Sequence, residues 1–230
     1  MRIIAGDDGV WYLPERIRLT LQTTAKTTAY ATWMSGEPVT VGRSAREMVL
    51  PLRWTRQTPE TATWKGQETE RGGNWSGAYG VSAAWLAGAS PAMNPAQHGF
   101  RLDLRQGTAF TWASTGDDTR APAALGAKDK QRTAACWFHP QQISCQVTPA
   151  DDRPYRLTVY LLDYDRAGRS VEAAIADSFG ERLDVRPVTV KQMGKGTYLT
   201  WTVTGNVQIL IRYTGENPVA NAVVSAVFID

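Results

Sequence analysis

The chain has 230 residues, with 25 Lys and Arg against 22 Asp and Glu and a formal net charge of +3. That balance argues against a nucleic-acid binder, since even the densest basic run, Lys128-Asp129-Lys130-Gln131-Arg132, is interrupted by an acid. No stretch of about 18 apolar residues exists to cross a membrane as a helix, and the start, Met1 to Asp8, breaks at Gly6 too early for a signal peptide.

Nine Trp against two His, with 20 Gly and 12 Pro, describe a turn-rich chain with many flat aromatic faces. Such faces anchor β-sandwich cores and also stack on pyranose rings. Alternation of apolar and polar residues predicts half-buried strands at 16–22, 48–54, 100–105, 155–161, 199–204 and 207–213. The run 222–229 is apolar on both faces and reads as one central strand. Segment 170–179 fits either a helix (Val171, Ile175, Phe179) or a strand (Val171, Ala173, Ile175); the tight turn before it favours a hairpin strand. Turn signals at 36–38, 72–74, 115–118, 165–168, 204–206 and 215–218 separate these runs. About a dozen short strands give an all-β fold, an antiparallel β-sandwich or jelly roll. Polar, Thr-rich residues near 56–66 suggest a linker between a small N-terminal β-region, 1–55, and the main sandwich, 67–230.

Catalytic signatures are scarce. No Walker A, Gly-rich dinucleotide, His-Glu-x-x-His or Gly-x-Ser-x-Gly motif occurs. His98 and His139 sit in turn-like settings and are too few for a three-His zinc site. Asp117/Asp118 and Asp151/Asp152 are adjacent in turns, where acids are common for backbone reasons. Asp163-Tyr164-Asp165-Arg166-Ala167-Gly168 resembles part of a calcium loop but lacks its further acids. The alternative is a hairpin turn with Tyr164 offered to a ligand; no cofactor is expected, calcium being the one option. The Gly-rich loop around Trp75 and Tyr79 reads as an aromatic ligand platform or as a staple holding a loop to the sandwich edge. Cys136 and Cys145 fall opposite one another if 136–145 is a hairpin, with Phe138 facing Ile143, and are a disulfide candidate, the alternative being two reduced thiols buried like small apolar side chains.

Several segments, in order, carry a resemblance: Gly73-Asn74-Trp75-Ser76-Gly77-Ala78-Tyr79-Gly80, Arg132-Thr133-Ala134-Ala135-Cys136-Trp137, 157–169, Gly196-Thr197-Tyr198-Leu199-Thr200-Trp201 and 221–228. Together, over about residues 64–230, they look like the C-terminal galactose-binding-like β-sandwich modules of bacterial polysaccharide-degrading enzymes. That resemblance implies a jelly roll and a non-catalytic, carbohydrate-binding role. It also implies an extracellular or periplasmic setting within a larger secreted protein, with a polysaccharide or oligosaccharide and the parent catalytic domain as partners. The alternative is an accessory β-domain that packs on a catalytic domain without binding glycan. Loop-proximal Trp75, Tyr79, Trp112 and Tyr164, with Asp163 and Asp165, are the expected ligand contacts, whereas Trp201 shares the inward parity of Leu199 and Val203 and belongs to the core.

Overall fold

The computed structural model describes residues 60–89, 99–124 and 131–230 in full. Of the residues before 60 it describes the backbone of six strands: β1 (Ile3–Ile4), β2 (Val10–Tyr12), β3 (Arg18–Thr24), β4 (Thr28–Thr32), β5 (Pro38–Gly42) and β6 (Glu47–Met48). The expected strand beyond Met48, the Lys128–Lys130 run and His98 lie outside the described residues.

Two units partition the chain, Met1–Arg56 and Gln57–Asp230. In the first, β2-β3-β4-β5 form an antiparallel meander and β1 pairs with β6, Ile3 opposite Met48. The second unit is an antiparallel β-sandwich. Its strands are β7 (Thr61–Glu68), β8 (Ala83–Leu86), β9 (Phe100–Gln106), β10 (Thr108–Gly116), β11 (Arg132–His139), β12 (Gln142–Pro149), β13 (Tyr155–Leu161), β14 (Val171–Asp177), β15 (Arg182–Val188), β16 (Thr197–Thr204), β17 (Val207–Tyr213), β18 (Ala222–Val224) and β19 (Ala226–Ile229). One short helix, α1 (Val190–Lys195), begins at a Thr189/Gln192 capping box. β7 starts inside the segment expected as linker: its alternating exposure marks a strand whose polar residues face out.

Sheet I has the order β15-β14-β17-β12-β9, sheet II β7-β16-β13-β19-β8, and sheet III β10-β11-β18. Period-2 alternation aims Val171, Ala173 and Ile175 of β14, and Val207, Ile209 and Ile211 of β17, at the same core as Leu157, Val159 and Leu161 of β13. Trp201 is wholly buried there, its ring edge-on to Trp64 at 5.2 Å and its indole N–H donated to Asp184 at 2.6 Å.

Sheet II buries part of its second face as well. Tyr160, Leu162, Tyr198, Ala226 and Phe228 point away from the main core into a smaller one, roofed by Trp75. Tyrosine hydroxyls satisfy the roof's backbone: Tyr198 donates to the Gly72 carbonyl at 2.7 Å and Tyr160 to the Arg120 carbonyl at 2.6 Å. The two roof loops touch at Gly73, where a Cβ would sit 1.9 Å from the Ala121 carbonyl oxygen, so only glycine fits.

Three expectations of connection fail, for one reason. Segment 171–177 is a strand, but no hairpin joins it to β13: β13 lies in sheet II and β14 in sheet I, so 162–170 arches between the layers. Likewise β11 pairs with β10 and β18, while β12 pairs with β17 and β9. The turn at 140–141 is therefore also an arch, and Cys136 and Cys145 are two free, buried thiols instead of a cross-strand disulfide. The run 222–229 splits at Ser225 into β18 and β19, which join different sheets. A strand buried on one face or both has the same alternation whether its neighbour is in its own layer or the facing one.

Two outcomes are expected. Trp201→Ala should lower the stability of the sandwich by about 3–5 kcal/mol, read by chemical denaturation. Burial pushes both thiols up to about 12, so a thiol reagent at neutral pH should leave the native protein unlabelled and find two thiols once it is unfolded without reductant.

Candidate functional site

The aromatic site forms where sheet III meets the 162–170 arch. Opposite β11, Thr111 faces Ala135 and Ala113 faces Ala134, so Trp112 is an extra residue, a β-bulge. A bulge twists the strand and re-aims the side chain it carries. Trp112 is turned onto Tyr164, with ring centroids 5.6 Å apart and planes tilted by 34°. Phe110, 48% exposed, meets Trp112 edge-on at 5.8 Å. Three aromatic rings thus run along the rim.

Two guanidinium groups hold this row. Arg169 Cζ stands 5.7 Å from the Trp112 ring and Arg120 Cζ 5.6 Å from the Tyr164 ring. The Arg169 side chain is 6% exposed and its partner Asp163 1%. Asp163 accepts the amides of Ala167, Gly168 and Arg169 at 2.9–3.1 Å and the Arg169 Nη1 at 2.5 Å. Nη1 of Arg169 also reaches Asp165, and its Nε donates to Asn221 at 3.0 Å. Burial by itself would raise the Asp165 carboxyl. The Arg169 bond and charge and a bond from Trp112 outweigh it and hold the group below the usual carboxylate range. Arg120 forks onto Asp118 and spans to the carbonyls of Gly194 and Tyr164 at 3.0 and 3.2 Å. Its bond holds Asp118 below the usual carboxylate range too.

Of the expected ligand contacts, Trp112, Tyr164 and Asp165 converge here. Asp163 is adjacent but faces inward, held by the arch, and is corrected to a structural role: a carboxylate sealed among an arginine and three amides has no oxygen to offer a ligand. Trp75 is corrected likewise. It is 3% exposed, stacked on Phe228 at 5.1 Å, with its N–H donated to the Ala123 carbonyl at 2.8 Å. It is the staple and not the platform. Tyr79 lies beside it on the outer face of sheet II, stacked on Tyr198 at 4.6 Å, and burial pushes its phenol up to about 12. Sequence reasoning missed Phe110, which the Phe110/Trp112 spacing of two would have flagged, and Arg120 and Arg169, for which no local pattern exists. His139 caps its own turn, Nδ1 accepting the Gln141 and Gln142 amides at 3.2 and 3.1 Å. Among the described residues, no group of three or more His, Cys, Asp or Glu is placed to hold a metal ion.

No protein-family model matches the sequence. No curated protein matches it either. Among solved structures, similarity is found to TmCBM61 in complex with β-1,4-galactotriose, at 11% identity and a TM-score of 0.17, over 51% of this chain and 88% of that one.

Replacing Arg169 by Met strips Asp163 of its counter-ion in a buried setting. The expected cost is about 3–5 kcal/mol in denaturant unfolding, and the Arg169→Met/Asp163→Asn double variant should recover part of it.

Proposed function

We propose that this protein is a non-catalytic carbohydrate-binding module, one that holds a secreted bacterial glycan-degrading enzyme on its polysaccharide. One observation carries the reading: the Phe110–Trp112–Tyr164 row, partly exposed and pinned from within the protein, with Asp165 at its fringe. Sugars offer apolar C–H patches ringed by hydroxyls, and rigid rings beside fixed acceptors complement both. Pre-pinned rings also lose little freedom on binding. The carboxylates of the site favour binding over hydrolysis. Asp163 and Asp165 are tied to Arg169, and Asp118 to Arg120, so each is held in an ion pair, where glycoside hydrolysis needs an acid free to give its proton opposite a second carboxylate.

A second reading, an accessory domain that braces a catalytic domain without binding glycan, is favoured by Trp75, whose ring is spent on internal packing.

Affinity electrophoresis over a polysaccharide panel, followed by calorimetry, tests both. Trp112→Ala and Tyr164→Ala should each weaken binding by about 1–3 kcal/mol, roughly 5- to 150-fold, while leaving the melting transition cooperative. Failure of every polysaccharide to retard the protein supports the bracing role, and variants that bind like the parent place the site elsewhere.

A further inference from the structure

The outer face of sheet II changes character at Tyr79. On one side lies the apolar patch roofed by Trp75. On the other a cleft of about 420 Å³ opens, lined by Lys65, Glu68, Tyr79, Arg156, Thr200 and Thr202. Its floor is hydroxyl-bearing because the outward positions of β16 there are threonines, and Thr200 shares a 3.0 Å bond with Thr158 of β13.

Lys65 reaches this cleft through a bulge. Thr200 faces Gly66 and Trp201 faces Trp64, so Lys65 is the unmatched residue of β7. Gly66 beside it has φ +150, and a Cβ built there would meet nothing within 4 Å. The space above the strand is open.

The charges are unequal. Glu68 accepts from Arg71 at 3.2 Å and from the Tyr79 hydroxyl at 2.8 Å, both on Oε2. Arg156 binds Asp230 through Nε and Nη2, at 3.1 and 2.9 Å, and the Ala78 carbonyl through Nη2 at 3.1 Å, and its Nη1 has no hydrogen-bond partner among the described residues. Lys65 has no ion-pair or hydrogen-bond partner among the described residues and is exposed. A polar cleft thus carries one uncompensated ammonium and a second, half-used cation.

We propose that this cleft is a second ligand site, separate from the aromatic row, which takes a carboxylate-bearing sugar, a hexuronate unit of an acidic glycan. The carboxylate meets Lys65 and Arg156, and ring hydroxyls meet Thr200, Thr202 and the free oxygen of Glu68. This assignment does not rest on glycan binding by Trp112 and Tyr164.

The test is heteronuclear NMR titration and calorimetry of the whole chain with trigalacturonate and with its fully methyl-esterified form. The free acid should bind, perturb the amides of 65–68 and 200–202, and weaken as salt is raised. The ester should bind roughly tenfold more weakly, in the range for loss of a charge-assisted hydrogen bond. Lys65→Met should lose about the same factor and Lys65→Glu more, both with the parent's melting temperature because this side chain is exposed and has no ion-pair or hydrogen-bond partner among the described residues. Trp112→Ala should leave the trigalacturonate affinity unchanged. The proposal falls if trigalacturonate does not bind at millimolar concentration, if acid and ester bind equally, if Lys65→Glu binds like the parent, or if Trp112→Ala abolishes the binding.

Discussion

The Arg169 guanidinium ties together parts of the chain that share no strand ladder. It lies where 162–170 passes from sheet II to sheet I, bonded to Asp163 at the end of β13, to Asp165 in the arch and to Asn221 ahead of β18, with the Trp112 ring of β10 against it. Three sheets therefore meet at one side chain. A buried ion pair is costly to desolvate and is retained only when its remaining hydrogen-bonding capacity is met; here three backbone amides complete Asp163. The same pair that fixes the crossing between layers fixes the ring that faces the rim, so the geometry of the aromatic row is a by-product of how the sandwich turns its corner.

Both candidate sites stand on single-residue irregularities. Trp112 in β10 and Lys65 in β7 are each the extra residue of a bulge. In a regular strand every side chain belongs to one of two faces, and both faces of β19, and of β13 from Leu157 onward, are already committed to packing. An inserted residue escapes that alternation and can carry a function without removing a core contact.

That irregularity also sets what was legible in the sequence. Strands were, because alternation is a local property: Leu157/Val159/Leu161 and Val207/Ile209/Ile211 point where their spacing says. Trp201 was legible for the same reason. Partners were not. The Cys136/Cys145 pairing and the strand after Asp163 were both read as hairpins, and a two-residue turn and an arch carry the same Gly, Pro and Asp signals. Trp75 was ambiguous because a Gly-rich loop lets an aromatic project outward or inward, and what decides is the second face of sheet II, assembled from residues 123 and 153 positions away, Tyr198 and Phe228. Arg120 and Arg169 form their decisive contacts through the fold alone.

The break at Ser225 bears on association between molecules. Ala222 to Ile229 is an uncharged stretch rich in β-branched residues and including Phe228, a composition that favours intermolecular cross-β structure. Ser225 divides it, sending Ala222–Val224 to β11 and Ala226–Ile229 between β13 and β8. Neither half is long enough to template a neighbour, and the more apolar half has no open edge. β8, only four residues long, is what covers the far edge of β19. Its pairing with β19 keeps the backbone of Val227, Phe228 and Ile229 off an open sheet edge.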